Sequence, residues 1–310
     1  MAEATVLQTD QLSKWYGNIL GISEISLSLT PGVYGILGPN GAGKTTFLKI
    51  ISGQLKPNLG SIKIFGQPVF NNPSLFARVG FCPELDSYYQ DVTGGQFLRF
   101  MARLHRFSPD SARLRARQAL EAVGMEDSSD DLISTYSLGM RQRIRIAASI
   151  VHEPDLLLLD EPLRGIDPLW RAKILALIEG YRREGKTVIV SSHILPEIES
   201  MTNHITLIHQ GKVFAHGDIQ QIRSLIDTHP HQISITCSRP RELARKMIAS
   251  SSVLGVQVSE EKGTVIFETN RRDSFFTQLM GKLARGQYPV EEIFSPDDNL
   301  QSVFDYLIGD

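Results

Sequence analysis

The chain of 310 residues is long enough for one large and one small domain, each with its own core. Its formal net charge of −2, with 42% hydrophobic and 21% charged residues, argues against a nucleic-acid binder, an acidic tail or a disordered chain. The only cysteines, Cys82 and Cys237, have no second ligand at metal-binding spacing, so neither a disulfide framework nor a zinc site is expected.

Up to about residue 218, short apolar strands alternate with helical stretches. The segments "ISLSL" and "SIKIF" alternate with period 2, whereas "VYGIL", "LLLLD" and "TVIVSS" are continuous apolar runs, typical of strands buried on both faces of a parallel sheet. These runs are too short to span a membrane, so we expect the chain to stay outside the bilayer. The pattern predicts an α/β core with an antiparallel β edge at its N-terminus.

Two further regions complete the predicted organisation. A more helical block at about 86–150, with a candidate capping box "TGGQ" at 93–96, predicts a helical insertion in the core domain. After the core, the segments alternate as strand, helix, strand, strand, helix and strand, which predicts a small ferredoxin-like α+β module. We therefore expect a domain at 1–220 and an accessory domain at 221–310.

The segment "GPNGAGKTT" lies between an apolar strand and a helical stretch, which is the context of a Walker A phosphate loop. Its glycines let the backbone N–H groups turn towards a phosphate, and the following helix N-terminus adds positive potential. Lys44 can reach the β- and γ-oxygens, and Thr45 can ligate Mg²⁺. A plain glycine-rich turn is the alternative, but it would not require Lys-Thr after the last glycine. The predicted nucleotide contacts in this loop are Gly38, Pro39, Asn40, Gly41, Ala42, Gly43, Lys44, Thr45 and Thr46.

Two acidic residues follow the apolar run "LLLL", where a parallel strand reaches the carboxyl edge of its sheet. Asp160 is predicted to hold Mg²⁺ through water, and Glu161 to polarise the attacking water as general base. Two acids at an ordinary strand end are the alternative. His193 ends the apolar run "TVIVSS" and could contact the γ-phosphate and the water from the same edge, although a lone histidine at a strand end is more often structural.

Six motifs in this order resemble the ATP-binding cassette family, the motor subunits of ABC transporters. They are "LSKWYG", the Walker A loop, "YSLGMRQR", "LLLLDEP", "LRGIDP" and "SSHI". Walker A alone is common to many NTPases, whereas a signature-like loop shortly before Walker B, followed by a D-loop and a switch histidine, is common to few. The resemblance covers about the first 218 residues and implies the P-loop NTPase fold and ATP hydrolysis with Mg²⁺, in which Glu161, His193 and Lys44 are catalytic.

The resemblance also implies roles for residues outside the Walker motifs. Tyr16 resembles the aromatic that stacks on adenine, although Trp15 could substitute for it. Ser137 and Gly139 lie in the signature loop, which in this family contacts an ATP held by a second cassette, and the following helix N-terminus suits an anion. Asp167 resembles the D-loop acid between the two sites. The chain would therefore need a second cassette, in a homodimer or a heterodimer.

This sequence departs from the family pattern at four positions. Glu84 stands where the Q-loop has glutamine, and its carboxylate could still meet Mg²⁺ or water at some electrostatic cost beside the triphosphate. Leu138 and Met140 alter the signature loop, and because Leu is poorly suited to positive φ we expect no such conformation at 138. Arg164 replaces the usual small D-loop residue. Related exporter subunits carry similar glutamate and "SLGM" variants.

The resemblance implies the ATPase subunit of a transporter, of the exporter type, that works with a separate membrane permease at the cytoplasmic face of the membrane. The segment "DSYYQDV" at 86–92 is a candidate docking face, or equally an ordinary loop. A cytosolic cassette protein that acts on a nucleic-acid or ribosomal complex is the alternative, with "RLRARQ" at 113–118 as its basic patch. No nucleic-acid partner is expected.

Overall fold

The chain divides into two units, Met1–Asp218 and Ile219–Asp310, which are described separately. The computed structural model describes residues 5–84, 91–226, 231–260, 263–283 and 289–295. Within these residues, no helix is both long and apolar enough to cross a bilayer.

The first unit contains ten strands and seven helices among its described residues. The strands are β1 (Leu7–Tyr16), β2 (Ile19–Leu29), β3 (Val33–Leu37), β4 (Leu59–Ile64), β5 (Gln67–Pro68), β6 (Val79–Cys82), β7 (Leu156–Asp160), β8 (Thr187–Ser192), β9 (His204–His209) and β10 (Lys212–Asp218). The helices are α1 (Lys44–Ile51), α2 (Pro73–Phe76), α3 (Gly94–Leu104), α4 (Pro109–Val123), α5 (Leu138–Ile150), α6 (Pro168–Arg183) and α7 (Leu195–Glu199).

A six-stranded sheet in the order β10-β9-β3-β8-β7-β6 forms the centre of this unit. Its strands are parallel except β10, which pairs antiparallel with β9. All residues of β7 and β8 are buried, as their continuous apolar runs predict. The parallel arrangement brings the carboxyl ends of β3, β6, β7 and β8 to one edge, where loops can gather functional side chains.

The N-terminal strands form the predicted antiparallel β region, as a sheet of their own in the order β2-β1-β4-β5. Their period-2 alternation suits this arrangement, because a strand with one apolar face packs that face against a core. In β2, Ile25, Leu27 and Leu29 are buried and alternate with exposed Ser26 and Ser28. Helix α1 shares that core with both sheets, and it carries four residues that are at most 1% exposed. These residues are Phe47, Leu48, Ile50 and Ile51.

The predicted helical insertion consists of α3, α4 and α5. The predicted capping box at the start of α3 is confirmed: Thr93 Oγ1 accepts a hydrogen bond from the Gln96 amide (3.2 Å), and Gln96 Oε1 accepts one from the Thr93 amide (3.0 Å). Residues 86–90 of the candidate docking face lie outside the described residues.

The second unit has the predicted ferredoxin-like order. After α8 (Ile219–Ile226) come β11 (His231–Cys237), α9 (Pro240–Met247), β12 (Gly255–Ser259), β13 (Thr264–Thr269), α10 (Arg272–Leu283) and β14 (Val290–Phe294). The sheet is antiparallel with the order β12-β13-β11-β14. Its core is separate from that of the first unit and includes Ile235, Phe267 and Phe275, which are all fully buried.

Candidate nucleotide-binding site

The loop between β3 and α1 has a conformation that requires glycine. Gly43, which caps α1, has φ 109°, and a Cβ there would lie 2.6 Å from the Gly21 carbonyl oxygen. A Cβ on Gly38 would lie 2.2 Å from the Ile208 carbonyl oxygen. The loop therefore packs so closely on β2 and β9 that side chains are excluded at its two ends. Its backbone and the first turn of α1 surround the position that suits an anion.

Lys44, the first residue of α1, is 6% exposed and turns back under this loop. Its ammonium group donates hydrogen bonds to the carbonyl oxygens of Gly38 (2.7 Å) and Pro39 (3.2 Å). Nζ also lies 3.5 Å from Glu161 Oε1. The cation is thus held at the floor of the loop, within reach of the carboxylate that follows β7.

Asp160 ends β7 and is fully buried. Its Oδ1 accepts a hydrogen bond of 2.5 Å from the Ser191 hydroxyl on β8, whereas Oδ2 has no hydrogen-bond partner among the described residues. Burial raises the pKa of this carboxyl, and hydrogen bonding by the Ser191 hydroxyl opposes the rise. A buried carboxylate oxygen without a donor suits a cation, and Thr45 lines the same cavity of about 410 Å³ as Asp160.

Glu161 is positioned by backbone contacts with β8. Its amide lies 3.1 Å from Ser191 Oγ and 3.2 Å from the Ser191 carbonyl oxygen. Its φ is 50°, a left-handed conformation that a non-glycine residue adopts only at a cost. The side chain is 7% exposed and lies between two groups, Lys44 Nζ at 3.5 Å and His193 Nδ1 at 3.0 Å from each carboxylate oxygen. His193 thus joins the acid from the neighbouring strand.

A cavity of about 640 Å³ opens above these groups. Most of the residues predicted from the sequence line it. They are Tyr16, Pro39, Asn40, Gly41, Ala42, Gly43, Lys44, Thr45, Thr46, Glu84, Glu161 and His193. Gly38 and Asp160 lie at its margin: the Gly38 carbonyl oxygen holds Lys44, and Asp160 lines the adjacent cavity.

An apolar part of this cavity was not predicted from the sequence. Ile19, Leu20 and Gly21, at the start of β2, also line it, and Ile19 is 72% exposed. Tyr16 lies beside them, with its hydroxyl 3.4 Å from Thr46 Oγ1. Trp15 does not line the cavity. An exposed apolar pair a few residues after an aromatic was the signal that could have revealed this surface.

Three predicted residues do not line this cavity within the described chain. Ser137 caps α5 by accepting a hydrogen bond from the Met140 amide (3.2 Å), and Asp167 caps α6 by accepting from the Leu169 and Trp170 amides. Gly139 lies in the first turn of α5, and a Cβ there would be 3.1 Å from the Gly165 carbonyl oxygen.

Leu138, at the start of α5, is 51% exposed. It is not among the positive-φ residues, which confirms the expectation for that position.

The chain is similar to known ATP-binding proteins. The family model described as "ABC transporter" matches residues 22–164. The chain is 32% identical, over 98% of its length and 96% of the relative, to the bacitracin transport ATP-binding protein BcrA of Enterococcus faecalis. It is 31% identical to the daunorubicin/doxorubicin resistance ATP-binding protein DrrA of Streptomyces peucetius, with 98% and 92% covered, and 31% identical to the linearmycin resistance ATP-binding protein LnrL of Bacillus subtilis (strain 168), with 98% of both covered.

Solved structures resemble the first unit. An ATP-binding subunit of an ABC transporter matches with a TM-score of 0.66 and 27% identity, covering 72% of this chain and 93% of that chain. A dimeric ATP-binding cassette in a post-hydrolysis state, bound to ADP and Pi, matches with a TM-score of 0.64 and 22% identity, covering 69% and 98%, and this likeness concerns the fold alone.

Proposed function

The chain belongs to the ABC transporter family as an ATP-binding subunit, and we propose that it works with a second cassette and a separate membrane permease to export a substrate. Family members hydrolyse ATP to power transport, so the chain is an ATPase. The relatives are named for different compounds, which are bacitracin, daunorubicin/doxorubicin and linearmycin. The proposal for this chain therefore includes export but no particular substrate.

One observation carries the proposed chemistry: the Glu161 carboxylate lies between Lys44 and His193 in the cavity above the phosphate loop. A water molecule between this carboxylate and a γ-phosphate would lose its proton to Glu161 as it attacks. Lys44 would neutralise charge on the β- and γ-oxygens, and His193 would orient the carboxylate and contact the γ-phosphate. These are the roles that we assign to the three side chains.

The residues present fit a magnesium ion. Asp160 offers a buried carboxylate oxygen without a hydrogen-bond donor, and Thr45 and Glu84 line the same cavity with further oxygen ligands. When bound, Mg²⁺ neutralises charge on the phosphate oxygens. Thr45 would be the direct ligand from the protein, and Asp160 would hold a water of the ion.

The base of the nucleotide fits the apolar part of the cavity. The Tyr16 ring, 45% exposed, and the side chains of Ile19 and Leu20 offer flat and apolar contacts and no base-specific hydrogen bond. We assign the adenine to this surface, with Tyr16 as its stacking partner.

Ser137, Gly139 and Asp167 support the need for a second cassette. They lie outside the cavity of about 640 Å³ in their own chain, so a nucleotide bound there does not meet them. On a second cassette in head-to-tail arrangement, Ser137 and Gly139 would contact the γ-phosphate, and each ATP would join two polypeptides. ATP then stabilises the closed state more than the open state, which is the source of the mechanical work.

A measurement of protein concentration tests this proposal. If two cassettes complete each site, the ATPase rate per molecule increases with protein concentration and then saturates. A homodimer shows this with the purified chain alone, and a heterodimer shows it when a partner cassette is supplied. Light scattering should show a species of twice the mass with Mg-ATP when hydrolysis is slowed. A chain that hydrolyses ATP at a constant rate per molecule, or that stays monomeric with every cassette partner, contradicts the proposal.

The second unit has its own core, and we propose that residues 221–310 form an accessory domain that regulates coupling. A chain truncated after residue 220 should keep its ATPase activity but lose the control of that activity by the permease. Loss of all activity in a truncated chain that keeps its circular dichroism spectrum would show that the segment is structural.

The alternative of a nucleic-acid motor finds no support among the relatives. Two arginines of the segment 113–118 pair with acids, Arg113 with Asp110 and Arg115 with Glu153, so they do not form a free basic patch. We therefore place the chain at the cytoplasmic face of a membrane, held there by its permease.

A further inference from the structure

The neighbouring strands β6 and β7 carry an ion pair at each end. At their amino ends, Arg78 precedes β6 and Asp155 precedes β7, and Arg78 Nε lies 2.5 Å from Asp155 Oδ2. At their carboxyl ends, Glu84 follows β6 and Arg164 follows β7, and Arg164 Nη1 pairs with Glu84 Oε1. Only the second pair lies at the edge of the sheet where the nucleotide site is.

Both members of this second pair face the proposed site. Glu84 and Arg164 line the cavity of about 640 Å³ together with Lys44 and Glu161. Glu84 also lines the adjacent cavity beside Asp160, and its backbone is fixed because Arg145 Nη1 donates a hydrogen bond of 2.6 Å to its carbonyl oxygen. The backbone of Glu84 is therefore held at the edge of the proposed site.

The charge of Glu84 reaches the cation site. Burial raises the pKa of the Asp160 carboxyl most, and the negative charge of Glu84 adds to that rise. A triphosphate in the cavity would lie near the same negative charge, and like charges repel each other in a partly dehydrated site. Bound Mg²⁺ compensates for part of this repulsion, and a Glu84 carboxylate that no protein cation neutralises still weakens ATP binding.

Stability does not account for the pair. The Arg164 side chain is 61% exposed and that of Glu84 is 32% exposed, and ion pairs with this exposure contribute little to folding. Its position offers another reason, because Arg164 is three residues from Glu161 in the turn that follows β7.

We propose that Arg164 is a positioning residue that neutralises and holds the Glu84 carboxylate, so that this glutamate is tolerated beside the triphosphate. The ion pair also links the segment after β6 to the segment after β7, which carries Glu161. The inference rests on the proposed nucleotide site. It concerns how this chain accommodates an acid at this edge of the nucleotide site.

A double-mutant cycle in the full-length chain tests the proposal. Arg164→Ala is compared in two backgrounds, the natural chain and Glu84→Gln, by the Kd for Mg-ATP and by KM and kcat. In the natural background we expect Kd and KM to rise at least about fivefold, because an uncompensated carboxylate repels the nucleotide. In the Glu84→Gln background the same substitution should change Kd by less than about twofold.

Salt adds a second readout. The increase in Kd caused by Arg164→Ala should shrink as the ionic strength rises from about 0.05 M to about 0.5 M, because counter-ions screen the exposed carboxylate. A merely structural loss would not respond in this way. Arg164→Gln, which removes the charge but keeps a polar side chain longer than that of alanine, gives the same comparison if the alanine variant folds poorly.

The pair at the other end of the strands is the matched control. Arg78→Ala leaves Asp155 uncompensated on the same two strands, far from the carboxyl edge, and should leave Kd for Mg-ATP unchanged.

An equal rise in Kd in both backgrounds would show that Arg164 contacts the nucleotide directly. No rise in the natural background would show that the ion pair has no effect on nucleotide binding. Either result overturns the proposal. A natural chain that fails to bind Mg-ATP at all would instead refute the proposed site.

Discussion

Nδ1 of His193 lies 3.0 Å from both carboxylate oxygens of Glu161. The two residues follow neighbouring parallel strands, so the sheet itself sets their separation. The imidazole can hold the carboxylate in a fixed orientation, which is the requirement for a general base that must face one water molecule.

Glu161→Gln should lower kcat at least about 100-fold while Mg-ATP still binds, because the amide cannot accept the proton of the water. The variant should accumulate as an ATP-bound dimer, measured by light scattering. Glu153→Gln is the control, since Glu153 also has a left-handed backbone, with φ 52°, and lies outside the cavity. Hydrolysis by Glu161→Gln at the natural rate would show that another group is the base.

Lys44→Ala should raise the Kd for ATP by roughly 100-fold, the loss expected when charge-assisted hydrogen bonds to phosphate are removed. The same substitution removes the hydrogen bonds to the Gly38 and Pro39 carbonyl oxygens that fix the loop. Equilibrium binding of a fluorescent ATP analogue measures the effect. Lys63→Ala, at an exposed position on β4, should bind the analogue as the natural chain does, and equal affinities in the two variants would refute the role of Lys44.

Ser137→Ala should lower kcat at least about tenfold and leave the Kd for ATP of the isolated monomer within about twofold, because the hydroxyl acts on a nucleotide bound by another chain. Ser137 also caps α5, so the substitution costs some stability. Ser108→Ala removes the equivalent cap of α4 and controls for that loss. If both variants lose turnover equally, the effect comes from the helix cap and not from catalysis.

Much of the fold follows from the pattern of the sequence. The runs that form β7 and β8 are buried throughout because their side chains are apolar or small except for Asp160 at the end of β7, and the strand-helix order of the second unit leads directly to its antiparallel sheet. The phosphate loop could be predicted from its motif between a strand and a helix, although its glycines at 38 and 43 are also required by close packing against β9 and β2.

Contacts between distant segments could not be predicted in this way. The pair of Glu84 and Arg164 joins residues 80 positions apart, and its formation depends on the order of β6 and β7 in the sheet. The place of Ile19 in the cavity depends on how β2 approaches the phosphate loop. The period-2 alternation of the N-terminal strands shows that one face is buried but does not show which layer covers it, so the packing of this antiparallel sheet against α1 could not be predicted.

Gly124→Ala should destabilise the first unit by about 3 kcal/mol, through a left-handed backbone and a clash. Gly124 ends α4 with φ 57°, and a Cβ there would lie 1.7 Å from the Trp170 ring on α6. Gly185, with φ 71° and open space around it, is the control, and its change to alanine should cost only about 1 kcal/mol. Urea unfolding measures both, and equal losses would contradict the role of Trp170.

Acid should destabilise the chain through His152. The pKa of His152 is lowered to about 4, mainly by burial and next by His105, stacked on it at 3.7 Å between ring centroids, against the opposing effect of the Val79 carbonyl oxygen. The unfolded chain therefore binds the proton first, so the stabilisation is complete above about pH 6.5 and is lost as the pH falls towards 4.

From pH 7.5 to pH 5 the loss should be about 2 kcal/mol. His152→Gln removes this titration but can still donate to the Val79 carbonyl oxygen. The drop in melting temperature over this range should therefore be smaller in that variant than in the natural chain, whereas His204→Gln, at an exposed position, should keep the full drop. An equal drop in the His152 variant would assign the acid sensitivity to another group.

The left-handed backbone of Glu161 lowers the stability of the folded chain at a residue on which hydrolysis depends. Glycine at that position would relax the backbone and lengthen the life of the folded chain, yet it would abolish hydrolysis. A lineage that needed only a persistent nucleotide-binding scaffold would gain from that exchange at once. The strained glutamate is thus a liability that only a working motor has reason to keep.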